Sequence, residues 1–170
     1  MTRGWAIWLL PLVLALHNLE EGVFFRRYVP RVLGRLPAGA RDWIGPVSLR
    51  EMGVALTLAT VIPLGFSLWA AARPASRTPL WLVLAMWATL LLNAAWHVAA
   101  ALMLFGGYAP GVVTAVALNL PLSLLVLRRA VTKHWLSRPA LRALVPAAVA
   151  LHLVGAVGLM LLARAMSGSG

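Results

Sequence analysis

The chain has no cysteine, so neither a disulfide framework nor a thiolate metal site is available to it. Acidic residues are nearly absent, four against fifteen Lys and Arg, for a formal net charge of +11. Charged residues of either sign make up only 11% of the 170 positions and 62% are hydrophobic, with a mean hydropathy of +0.88. That composition excludes an ordinary soluble domain of this length and describes an integral membrane protein. The positive excess does not point to nucleic acid. The basic residues sit between apolar blocks with no recognition motif beside them, so headgroup contact and topology account for them, and membrane lipids are the expected partners. The chain also lacks an internal repeat, which argues against a transporter built from two related halves.

Long apolar blocks are what it does have. A hydrocarbon core of about 30 Å takes about 20 apolar residues as a helix, and five blocks qualify: residues 4–25, 51–72, 79–105, 111–127 and 140–163. The expected fold class is all-α, a polytopic transmembrane helical bundle forming a single membrane domain. The first block is read as a retained span, because no small-residue cleavage pattern follows it. Pro11, Pro63, Pro121 and Pro146 lie inside four of the blocks and predict kinks or broken helices there. Residues 26–50 form a basic interfacial loop in which Arg27, Arg31 and Arg35 recur at helical spacing, as a short amphipathic helix in the headgroup layer would have them. Trp5, Trp8, Trp43, Trp81 and Trp135 fall near block boundaries and read as interface anchors. Lys and Arg divide seven to eight between the two sides, so the positive-inside rule assigns no orientation.

With so few carboxylates, their placement carries information. His17, Glu20 and Glu21 lie within the first apolar block, where a charged side chain near the helix centre opposes insertion by roughly 2.5–3.5 kcal/mol. Their i, i+3, i+4 spacing lets both carboxylates share a face with the imidazole. Thr89, Asn93 and His97 make a second polar stripe at i, i+4, i+8 in the third block. His17 and His97 each lie about 8 residues, or about 12 Å, from the end of their blocks on one common side, and His152 lies about 16 Å below it. Three histidines thus share one stratum, and Tyr108 opens the fourth block above it. Glu51 opens the second block on that side, where a helix-start charge facing the N-terminal dipole is the simplest reading. The plain alternative for the whole group is an interhelical hydrogen-bond cluster that fixes packing.

His17-x-x-Glu20-Glu21, Asn93-x-x-x-His97 and Tyr108-x-Pro110-Gly111, in this order on these helices, resemble the HXXEE-domain family of small bacterial membrane proteins, a family without an established function. The resemblance runs from the first block to the fourth and implies a bacterial cytoplasmic membrane as the location. The family's third motif begins with an arginine four residues before the tyrosine; this chain has Leu104 there.

The residues support three chemistries. Imidazoles from His17, His97 and His152 with Glu20 or Glu21 would give nitrogen and oxygen ligands suited to zinc, iron or manganese, and the other Glu a general base for hydrolysis of a lipid-like, membrane-delivered substrate. Without a metal, His17, Glu20 and Glu21, with Asn93 and Tyr108, read as an acid–base set for lipid isomerisation or cyclisation, with Trp96 offering a π face. An Asn-x-x-Trp arrangement at Asn93–Trp96 is similar to one in the emopamil-binding sterol isomerases. The non-enzymatic reading is proton or metal transport, or a pH-sensing subunit, with oligomerisation needed to complete a transport path.

Overall fold

The computed structural model describes residues 3–35 and 37–168, all-α throughout. Five of its helices are long and apolar enough to cross a membrane. The first, α1, spans Gly4–Arg35. A short α2 (Ala38–Ile44) links it to α3, Leu49–Ala72. Three further long helices follow: α4 (Arg77–Phe105), α5 (Val112–Thr132) and α6 (Arg138–Ser167). Exposed large apolar residues stud their outer surfaces, Leu102, Met103, Val145 and Val154 among them. A surface of that kind is stable against lipid rather than water. The chain is therefore an integral membrane protein with a bundle fold.

α4 is the central helix. It packs against α1, α3, α5 and the part of α6 at residues 144–155, and it buries residues along its whole length, from Pro79 to Ala100. The apolar core fills one end of the bundle. Ile7, Leu10 and Leu14 of α1 meet Val83, Leu84 and Trp87 of α4 and Val126 and Ala130 of α5 there. Polar ties lock the same end. Trp87 Nε1 donates to the Ala6 carbonyl at 2.9 Å, and Trp81 Nε1 donates to the Ala140 carbonyl at 2.9 Å. Trp81 is thus held helix to helix, a stronger constraint than the interfacial anchoring its position suggests. The Trp43 side chain lies outside the described residues.

The basic stretch after Phe25 differs from its expected form. α1 continues through Pro30 to Arg35 without a break, and Arg26, Arg27, Arg31 and Arg35 are exposed along that extension. A proline removes one helical donor and is tolerated where the freed carbonyl meets polar surroundings. Pro11 and Pro63 likewise sit in unbroken helix. The two C-terminal prolines do disturb their helices. Pro121 cannot donate to the Ala117 carbonyl, and a π-turn at Ala115–Asn119 immediately precedes it. Pro146 cannot donate to the Arg142 carbonyl, and α6 is interrupted at Ala143. Further π-turns close α4 at Ala101–Phe105 and widen α6 at Leu151–Gly155. π-turns re-aim side chains and often lie beside functional residues. Here all three flank the polar end of the bundle.

Candidate metal centre

That polar end is built from the last turns of the apolar part of α1, the second half of α4 and the first turn of α5. His17, Asn18, Glu20 and Glu21 lie within five consecutive positions of α1 and divide between two faces. Asn18 turns to α3, its Nδ2 donating to Thr60 Oγ1 at 2.8 Å and to the Leu56 carbonyl at 3.2 Å. This tie fixes the rotation of α1 and points His17 and Glu21 at α4.

The His17 ring, 2% exposed, packs edge-on against the His97 ring with centroids 4.8 Å apart. His97 Nε2 lies 3.2 Å from Glu21 Oε1. One ligand atom from each of His17, Glu21 and His97 lies within 4.8 Å of the other two, and this is the group of metal-ligating side chains found among the described residues. The separation of two ligand atoms across the edge of a tetrahedron with bonds of about 2.0–2.1 Å is about 3.3–3.4 Å. The His97–Glu21 edge already has that length, and His17, within 4.8 Å of both partners, needs a shift of up to about 1.5 Å to complete the set. Two imidazoles and one carboxylate are the donor set of catalytic zinc sites with an open fourth position and of facial non-haem iron sites.

The fourth side is closed by backbone. Gly111, at the mouth of α5, has φ +80°, and a Cβ there would lie 2.8 Å from His17 Cε1, 2.9 Å from His97 Cε1 and 3.1 Å from Glu21 Cγ. Only glycine permits both this dihedral and this approach. The N-cap residue Gly111 has no side chain to accept from the first N–H groups of the helix, and Glu20 supplies that acceptor from α1. Its carboxylate accepts from the Val113 and Thr114 backbone N–H groups at 3.2 and 2.8 Å, the second and third orphan donors of α5. Tyr108 Oη donates to it at 2.9 Å and Thr114 Oγ1 at 2.6 Å. Glu20 is therefore engaged on both oxygens, and a free general base at this position is not what the structure holds.

The remaining expected residues are placed as follows. Asn93 is a weak hydrogen-bond neighbour of His17 from α4, outside ordinary hydrogen-bond geometry. Thr89, in the same stripe, bonds back to the Ala85 carbonyl of its own helix. His152, half-buried on α6, lies within electrostatic range of His97 but outside the three-residue group. Equal depth did not bring it into the group, because α6 packs on α4 and α3 rather than on α1. Trp96 is 55% exposed on the outer surface, since one residue of helix turns it about 100° away from His97. Glu51 is buried elsewhere. It completes a capping box with Ser48 and pairs with Arg164 Nε at 3.1 Å. Leu104 is half-buried, and the neighbouring Phe105 ring receives the Arg35 guanidinium at 5.7 Å. Thr114 is the residue that spacing arguments missed. Its signal is modest: the one hydroxyl in the first turn of the fourth span, three residues after the Tyr-x-Pro-Gly segment.

Neither the curated proteins nor the solved structures contain a significant match to this chain. A family model does match, over residues 8–126. The matched stretch contains His17, Glu20, Glu21, Asn93, His97, Tyr108, Gly111 and Thr114 and excludes His152 and Arg164, so the whole of the assembled group falls inside it. On that match the chain belongs to the HXXEE family, described as proteins of unknown function with an HXXEE motif.

Proposed function

We propose that this protein is a membrane-embedded enzyme in which His17, Glu21 and His97 hold a divalent metal ion next to a lipid-like or membrane-delivered substrate. The observation that carries this reading is His17 Nε2. It is a buried ring nitrogen without a well-formed hydrogen bond, on a residue packed against two other potential ligands. An imidazole nitrogen left unsatisfied in the bundle interior forfeits roughly 1–3 kcal/mol unless something binds it. Zinc, iron and manganese suit the donor set. Such an ion would supply Lewis-acid polarisation of a carbonyl or phosphoryl oxygen and an acidified water. Glu21, with its side chain 27% exposed, leaves the group reachable from one side.

Elemental analysis of tag-free protein in detergent tests the proposal, with His17→Ala, His97→Ala and Glu21→Gln beside the wild type. The expected result is near-stoichiometric metal in the wild type and loss in all three variants. A metal-free wild type, even after reconstitution with zinc, iron and manganese, would overturn it. The 3.2 Å His97–Glu21 pair then favours a second reading, acid–base isomerisation or cyclisation of a lipid, and that assay would follow.

A further inference from the structure

We infer that the Thr114 hydroxyl, oriented by Glu20, holds His17 as its Nδ1–H tautomer and so reserves Nε2 for a ligand. Glu20 receives four hydrogen bonds, two on each oxygen: Tyr108 Oη and Val113 N on Oε1, Thr114 N and Thr114 Oγ1 on Oε2. A carboxylate offers about four lone-pair sites, and all are filled. Two of the donors are backbone N–H groups, one on each oxygen, which cannot reverse their role. They belong to the first turn of α5, where the helix dipole favours an anion. The state that satisfies every partner is the ionised carboxylate.

Thr114 has a single hydroxyl proton. The contact to Glu20 at 2.6 Å is the shortest of its three and the one to a charged acceptor, whereas the Gly111 carbonyl is 3.2 Å away. The proton therefore goes to Glu20. Toward His17 Nδ1, at 2.9 Å, the Thr114 oxygen can then only accept. Nδ1 must carry a ring proton, and in the neutral ring Nε2 then carries the lone pair. That assignment agrees with the separate finding that Nε2 is buried without a well-formed hydrogen bond. A histidine ligand whose second nitrogen donates to a carboxylate is a recurrent device for fixing tautomer and ring orientation. Here a hydroxyl is interposed, and Thr114 is a positioning residue.

The consequence for metal affinity rests on the proposed function above, whereas the tautomer rests on the hydrogen bonds alone. One experiment separates the two. Protein labelled with 15N-histidine is stripped with chelator and studied by NMR in nanodiscs, the His17 signals being assigned by difference from His17→Gln. The expected spectrum has protonated Nδ1 and unprotonated Nε2 in the wild type and in Thr114→Ser, with the preference lost in Thr114→Val. Zinc titration of the same samples should show affinity lowered about 10–100-fold in Thr114→Val and restored in Thr114→Ser. A wild-type His17 protonated at Nε2, or a Thr114→Val protein with unchanged tautomer, overturns the relay. A correct tautomer with no zinc binding overturns the metal reading and leaves the relay standing. If Thr114→Val fails to fold, the wild-type spectrum and Thr114→Ser still decide.

Discussion

Glu20 and Glu21 are adjacent in the chain and face different partners: Glu20 caps α5 through Val113 and Thr114, while Glu21 Oε1 stands 3.2 Å from His97 Nε2. The two carboxylates therefore differ in what their loss costs. Glu20→Ala removes a cap and two side-chain hydrogen bonds, with an expected destabilisation of about 1–2 kcal/mol and a lower Tm in detergent. With metal removed from both proteins, Glu21→Gln, which keeps the shape of a side chain that caps nothing, should have a Tm near that of the wild type, and it should fail to take up metal on reconstitution. Equal Tm values for the two variants would contradict this division.

A second prediction concerns the end of α5. Trp135 N donates to the Ala130 carbonyl at 3.0 Å and His134 N to the Val131 carbonyl at 3.2 Å, the pair of bonds that terminates a helix in a Schellman turn. The left-handed residue of that turn is His134, with φ +49°, where glycine is usual. An L side chain in this region costs roughly 1–2 kcal/mol, and glycine loses roughly 0.5–1 kcal/mol in backbone entropy. His134→Gly is expected to raise stability by about 0.5–1 kcal/mol, read as a higher Tm with metal content unchanged.

Composition and block length made the five-span fold legible, because a bilayer demands the same run of apolar residues whatever the packing. The i, i+3, i+4 spacing placed His17 and the carboxylates on neighbouring faces. Depth alone brought His97 to the same level, and the structure joins the two rings. The same arithmetic also included His152, which depth cannot exclude. Which helices touch depends on packing across the bundle, and no local pattern carries that. The division of labour between Glu20 and Glu21 was hidden for a related reason. It follows from where the first turn of α5 lands, which Gly111 permits and Tyr108 and Thr114 secure.

Arg164, near the end of α6, ties that helix to the start of α3, with Nε 3.1 Å from Glu51 Oε1 and Nη2 3.2 Å from the Pro46 carbonyl. Glu51 is buried, so removing its cation leaves a charge with less compensation than removing both. Arg164→Met is expected to lower Tm more than the double variant Arg164→Met/Glu51→Gln does. A double-mutant cycle measures the coupling. Strict additivity of the two single substitutions would show that the pair contributes nothing beyond its separate contacts.

The sharpest test of the geometry is Gly111→Ala read against Gly106→Ala. Both glycines are left-handed, with φ of +80° and +62°, so each substitution carries a similar backbone penalty of roughly 1–2 kcal/mol. Their surroundings differ completely. A methyl at Gly106 meets nothing within 4 Å, whereas one at Gly111 falls within 2.8 to 3.1 Å of His17, His97 and Glu21 at once. His17 is pinned by Thr114 and buried, so it cannot withdraw without breaking the Glu20 network. Gly106→Ala should fold with modestly reduced Tm and full metal content. Gly111→Ala should lose a further 1–3 kcal/mol, roughly the cost of overpacking a filled interior, together with its metal. Metal retained in Gly111→Ala would mean that the α5 backbone does not approach the three side chains as closely as 2.8 Å, and the proposed centre would have to be rebuilt around a more open group.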